Sequence, residues 1–295
     1  LRTDISNNPL ALLLGTGALL GLLTPLGKLA AAAGIDQYLW AALISLVPGI
    51  ALLGAAAREN WSRLDLWGFG AVSGLFAYVI PNALLFTAVP HIGSGLAGLM
   101  FALSPVLTAA LSLVLNIRPP SRGLLASVAL GFVGAVLIVL GRKSLSTPAA
   151  PQWLLLALIV PVSLAIGNVY RTARWPKAAP PEQVGAVSNL LAVAPLLALS
   201  AWNGGLQLSG IVKHWQLSLS QWLVSLAMFT LFFRLQWVGG PTYLSQIGYI
   251  AAALSLAIGA LLMGESYPLL VWLGAAFVIG GIVSVALDSS AVRKG

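Results

Sequence analysis

Cysteine is absent from the 295 residues, histidine occurs twice, and charged side chains make up only 7%. Without cysteine there is no disulfide, no thiolate nucleophile and no cysteine-based metal centre. The two histidines, His91 and His214, fall at predicted loop positions. Neither a His-Glu-x-x-His zinc motif nor a histidine-based catalytic constellation can be drawn, so no metal site is expected. No glycine-rich loop ends in Gly-Lys-Ser or Gly-Lys-Thr, which removes the simplest ATP-driven mechanism, and no motif asks for a cofactor. These absences argue against an enzyme, whose site would show a cluster of titratable groups.

Apolar residues fill the space that charge leaves. The chain is 59% hydrophobic, whereas an ordinary soluble domain is about a quarter charged. Apolar runs near 10–30, 38–57, 66–87, 94–115, 123–141, 153–172, 184–202, 218–236, 243–263 and 269–287 follow one another. Each is about the ~20 residues that an α-helix needs to cross the hydrocarbon core. The runs are continuously apolar and lack the in-out alternation of a membrane barrel. The expected fold is all-α and integral to the membrane, with ten transmembrane helices. The first run continues beyond a signal-peptide core, so it is read as a span and not as a cleaved leader.

Two stretches raise the question of a repeat: HIGSGLAGLMFALSPVLTAALSLVL from His91 and WVGGPTYLSQIGYIAAALSLAIGALLMGE from Trp237, 146 positions apart. The same offset places Gly21 on Gly167, Lys28 on Arg174, Asp36 on Glu182, Gln37 on Gln183, Phe86 on Phe232, Gly93 on Gly239 and Gly134 on Gly280. The weight rests on the charged and Gln pairs, because Ala, Leu and Gly match easily here. The expected halves are 1–147 and 148–295, five helices each. Five is odd, so the second copy enters the membrane from the opposite side. Inverted repeats of this kind are a plan of secondary transporters, with a midplane site between the halves.

The formal charge of +8 does not point to nucleic acid, because the basic residues follow the loops. With the N-terminus inside, the inner set is Arg2, Arg58, Arg63, Arg118, Arg122, Arg171, Arg174, Lys177, Arg234, Arg293 and Lys294. The outer set is Lys28, Arg142, Lys143 and Lys213. That bias puts both termini in the cytoplasm.

ALSPVLTAALSLVL, with Ser104-Pro105 in helix four, and LMGE, with Gly264-Glu265 closing helix nine, resemble the drug/metabolite transporter superfamily. Within it the chain is similar to the ten-helix EamA-type exporters built from two five-helix units. Ala251 stands where that family usually carries Pro, NIRPP replaces a Gly-Glu-Arg after helix four, and WAALISLVPG lacks an Arg common in helix two. PNALLFTAVPHIGSGLAGLMF from Pro81 and GNVYRTARWP from Gly167 look like the branch exporting aromatic and other amino acids (YddG-type). The resemblance implies a bacterial inner-membrane exporter or facilitator of amino acids and related small metabolites. A proton-coupled drug/metabolite exporter and a non-transporting scaffold are the alternatives. The partners implied are a small-molecule substrate and the lipid bilayer, with no nucleic acid, the protein acting as a monomer.

Polar side chains at membrane depth face protein or a water-filled cavity. Tyr78 and Asn82 share one helix face, and Thr242, Gln246 and Tyr249 fall at i, i+4 and i+7. Tyr78, Asn82, Gln246 and Tyr249 are therefore expected to line one midplane cavity. Asn168 and Asn189 join them, since an amide at depth is costly unless partnered. Phe101 and Trp40 could stack a substrate ring, Phe101 being the stronger candidate. Ser104, Thr108 and Ser112 form a hydroxyl stripe that suits helix packing. Pro25, Pro105, Pro161 and Pro195 each remove a helical donor, giving either hinges or static kinks. The neutral site suits a zwitterion. No acid falls mid-helix, so no carboxylate proton relay is expected, with Glu265 and His91 the residues that could overturn this.

Overall fold

The structure is a computed structural model that describes residues 8–117, 122–141 and 151–292. Among these residues the chain is all-α. The elements are α1 (Pro9–Ala32), α2 (Gln37–Ala55), α3 (Leu64–Ile92), α4 (94–114), α5 (Arg122–Gly141), α6 (Pro151–Ala173), α7 (Pro181–Trp202), α8 (Trp215–Pro241), α9 (Tyr243–Leu262) and α10 (Leu269–Val292). A one-turn helix, Ser209–Lys213, precedes α8. Seven of the helices are long and apolar enough to span a bilayer, and shorter apolar stretches lie in α4, α5 and α10. The ten expected spans fall on these ten elements. Arg2, Arg118, Arg142, Lys143, Arg293 and Lys294 of the topology argument lie outside the described residues, as do the side chains of Arg122 and Thr242.

Local chemistry sets the helix starts. Asn8 accepts from the Leu10 amide, and Asp36 accepts from the Leu39 amide at 2.7 Å, each satisfying an orphan N–H of a first turn. Pro181 opens α7 at a position where its missing N–H costs nothing.

Several irregularities interrupt the spans, and at three of them a backbone carbonyl lies against a neighbouring helix. Pro25 cannot donate to the Gly21 carbonyl, four residues back, and the Ser255 hydroxyl of α9 donates to it at 2.8 Å. In α3 a π-helical turn covers Leu75–Val79, so the Ile80 amide reaches Leu75 and leaves the Phe76 carbonyl open. Ser163 of α6 donates to that carbonyl at 2.6 Å. In α4 the break is the 3-10 turn Phe101–Leu103 ahead of Pro105, where the Ser104 amide donates to the Phe101 carbonyl in place of the N–H that residue 105 lacks. Gly248 of α9 abuts that carbonyl so closely that a Cβ there would lie 2.1 Å from its oxygen. Pro25 is thus a satisfied kink in this conformation, because its carbonyl already has a partner.

The main helix contacts run between the two halves of the sequence. α5 packs along α10, α2 along α7, and α4 against α9. α1 packs on α8 and α9, as α6 packs on α3 and α4; α2 meets α8 as α7 meets α3. Adding five to each helix number turns this set of pairs into itself. The α5–α10 contact is reciprocal at its centre: a Cβ on Gly134 would meet the Gly274 carbonyl at 2.5 Å, and a Cβ on Gly274 the Gly134 carbonyl at 2.5 Å.

Left-handed backbone marks the joints between helices. Gly34 and Ala178 precede α2 and α7, Gly93 and Gly240 join α3 to α4 and α8 to α9, and Asn116 and Gly264 follow α4 and α9. The partner of Gly93 by conformation is Gly240, with φ 73°. This is one residue beyond the Gly239 that the ungapped register supplies. Gly134 likewise meets Gly274, while Gly280 faces open space. The ungapped offset of 146 therefore does not pair the glycines that share a conformation or a contact.

Apolar side chains on the outer helix faces stay exposed, among them Phe132, Leu155, Leu223 and Phe277. In water so wide an apolar surface would be a liability; in a bilayer it is the lipid contact.

Candidate functional site

Between the halves lies a cavity of about 60 Å³. One water needs ~10–15 Å³ on this scale, so the space admits several waters or part of a small solute. Its wall takes Tyr78 and Asn82 from α3, Phe101 and Ser104 from α4, and Leu20, Leu23 and Ile44 from α1 and α2. The second half supplies Asn168 and Arg171 from α6, Met228, Phe229 and Phe232 from α8, and Ser245, Ile247 and Gly248 from α9. The breaks described above place these groups. The π turn carries Tyr78, the 3-10 turn carries Phe101, and the glycine at position 248 lets α9 approach that turn.

Four of the sequence-derived candidates, Tyr78, Asn82, Phe101 and Asn168, therefore come together. Three do not. Gln246 is fully buried beside the lining residues Ser245 and Ile247 but is not part of the wall. Tyr249 points the other way: its hydroxyl donates to the Val128 carbonyl at 3.4 Å and its ring end fills the notch left by Gly131 on α5. An i, i+4, i+7 stripe assumes an unbroken helix, and the turn at Gln246 interrupts α9 between these groups. Asn189 donates its Nδ2 to the Gly185 carbonyl within α7 at 3.0 Å, its buried Oδ1 has no partner among the described residues, and it lies outside the cavity. Trp40 is buried in the core away from the wall. Of the hydroxyl stripe, Ser104 reaches the cavity and Thr108 accepts from Asn168 at 3.4 Å.

The largest departure is Arg171. Counted above as a cytoplasmic loop cation, it sits in the last turn of α6, fully buried, and is among the residues that line the cavity. Its Nη2 donates to Asn168 Oδ1 at 2.6 Å and its Nε to Gln236 Oε1 at 3.1 Å. The guanidinium carbon stands 5.0 Å from the Phe232 ring centre and 6.0 Å from that of Tyr78. Ring faces, two amide oxygens and the C-terminal end of a helix dipole all favour the cation. Among the described residues its Nη1 has no hydrogen-bond partner and no carboxylate pairs with it. A signal for this was present: Arg171 follows Asn168 by three residues and so shares its face. The charge alone had assigned it to water.

A second polar cluster lies elsewhere, at the junction of α1, α4 and the α9–α10 loop. Glu265 accepts from Lys28, from the Ser94 amide at 3.0 Å, from the Ser94 hydroxyl at 2.8 Å and from the Tyr267 hydroxyl. Burial on its own would raise this carboxyl, but the donors from Lys28, Tyr267 and Ser94 outweigh it and hold the group at about 2. The carboxylate bridges the first helix to the last quarter of the chain.

Among the described residues no group of three or more His, Asp or Glu could hold a metal ion. In comparison with known proteins, residues 8–140 match the EamA-like transporter family. A crystal structure of a protein superposes with a TM-score of 0.66 at 21% identity, covering 95% of this chain and 97% of that one. At that identity the likeness carries the fold alone. No curated protein matches the chain in sequence. Ten helices, seven of them long and apolar enough to span a bilayer, and apolar outer faces make the chain an all-helical multi-pass membrane protein, and over residues 8–140 it is similar to the EamA-like transporter family.

Proposed function

We propose that the protein moves amino acids, aromatic ones included, and related small metabolites across the bacterial inner membrane by alternating access. The observation that carries this is the cavity walled from both halves, with aromatic rings, amides and a guanidinium converging on it. An apolar cavity holding a few convergent polar groups is the usual form of a small-molecule site. Phe101, Phe229 and Phe232 suit an aromatic side chain, and Asn82, Asn168 and Ser104 offer hydrogen bonds to its polar end.

Supporting the two-state reading, the helix contacts map onto themselves when five is added to each number, as two inverted units related by a twofold axis would require. The units are 1–147 and 148–295, and both termini face the cytoplasm. Two near-equivalent halves supply the inward- and outward-facing states that alternating access needs. Glu265, held at about 2, keeps no proton at neutral pH in this conformation, which favours facilitated movement down the substrate gradient over a carboxylate relay.

Counterflow tests it. Proteoliposomes preloaded with unlabelled amino acid should accumulate the labelled one at matched internal and external pH. Phenylalanine, tryptophan and a small aliphatic amino acid form the panel. No accumulation of any of them would contradict the reading, and accumulation only under an imposed pH gradient would replace facilitation with proton coupling.

A further inference from the structure

Arg171 is a buried cation without a counter-ion among the described residues. An ionised side chain removed from water is costly unless it is paired and hydrogen-bonded, and removal of one partner from a buried pair is costly for the same reason. Here two amide oxygens and two ring faces hold the guanidinium in place, Arg171 lines the cavity, and its buried Nη1 has no acceptor among the described residues. We infer that Arg171 is the residue that selects the substrate, by binding a carboxylate on a small, largely apolar molecule in this cavity.

The geometry suits that role. A guanidinium offers parallel N–H donors matched to the two oxygens of a carboxylate, which an ammonium cannot reproduce. Asn168 and Gln236 accept from Nη2 and from Nε and fix the plane, which leaves Nη1 as the nitrogen without an acceptor among the described residues. The rest of the wall is apolar and aromatic, through Leu23, Ile44, Phe101, Met228 and Phe229. Among the described residues no carboxylate lines the cavity to receive an ammonium group. The site therefore carries an uncompensated positive charge and reads the negative end of its ligand; the neutral site anticipated from the sequence is corrected on this point. An amine without a carboxylate would add a second cation beside Arg171 and is excluded. A zwitterionic amino acid and a simple organic acid share the required carboxylate.

This inference rests on the transport reading for its cavity, and binding separates it from transport. The purified full-length protein in detergent is titrated calorimetrically with 3-phenylpropionate, phenylalanine and phenethylamine, which share a ring and differ in their charged groups. The wild type should bind both carboxylates and bind phenethylamine about tenfold more weakly or worse, as loss of a hydrogen-bonded charge partner implies. Phenylalanine against 3-phenylpropionate then tells amino acid from organic acid, and either order upholds the carboxylate site. Arg171→Lys should weaken 3-phenylpropionate about tenfold or more, and leave phenethylamine unchanged. Should Arg171→Lys fail to fold, the wild-type probe series still decides. Equal affinity for phenylpropionate and phenethylamine in the wild type, or unaltered carboxylate affinity in folded Arg171→Lys, overturns the inference. Carboxylate binding without amino-acid counterflow would contradict the transport reading and leave the site standing; counterflow without carboxylate preference would do the reverse.

Discussion

Glu265 shows how a single carboxylate joins distant parts of the chain. Lys28 on α1, Ser94 at the start of α4 and Tyr267 all donate to it, and its side chain is only 12% exposed. Its proton affinity in the folded protein, about 2, lies below that of an unfolded chain. The stabilisation is therefore complete above the ordinary carboxylate value of ~4.3 and is lost only as pH falls toward the folded value. Thermal melts in detergent should show Glu265→Gln less stable than the wild type by a margin that stays constant from about pH 6 to about pH 8. A margin that closes within that interval would mean that the carboxylate titrates there and that the network is misread. The sequence disclosed Glu265 as a helix-end acid but not its three donors, because nothing local links positions 28, 94 and 265.

At the scale of elements, the helices were legible and their interruptions were not. Ten apolar runs of spanning length declare themselves through composition alone, since lipid tolerates little else. The π turn at Leu75–Val79 and the turn at Gln246 are set by what packs against them, so a face drawn with an unbroken 3.6-residue period brought Tyr78 and Asn82 together and misplaced Tyr249. Glycine at position 248 follows from the same packing. A Cβ there would lie 2.1 Å from the Phe101 carbonyl oxygen, which is backbone and cannot swing aside. Gly248→Ala should lower stability by about 1–3 kcal/mol, the usual cost of overpacking. Gly280→Ala, into open space, should be neutral or slightly stabilising, because alanine is the better helix former by ~1 kcal/mol. Paired melts of the two variants check this, and equal effects would show that the α4–α9 approach is looser than described.

The whole molecule is asymmetric where the two halves would otherwise match. Asn116 and Gly264 share left-handed backbone after α4 and α9, which sets Ile117 opposite Glu265. Lys28 has Glu265, whereas Arg174, its counterpart in the 146-residue register, is exposed and has no carboxylate within ion-pair distance among the described residues. Ile117 cannot pair with a cation, so among the described residues Lys28–Glu265 is an ionic latch with no counterpart at Arg174. Breaking that latch should shift the protein toward the state open on the Lys28 side. Thiol labelling in this cysteine-free chain is the direct measurement of alternating access. A single cysteine replaces Ser104 at the cavity wall, and a membrane-impermeant maleimide is added to one face of oriented vesicles at a time. The account predicts labelling from both faces, slowed by a bound aromatic amino acid, with the rate from the Lys28 face raised when Glu265→Gln is added. Labelling from one face only, at a rate indifferent to both substrate and Glu265, would contradict it.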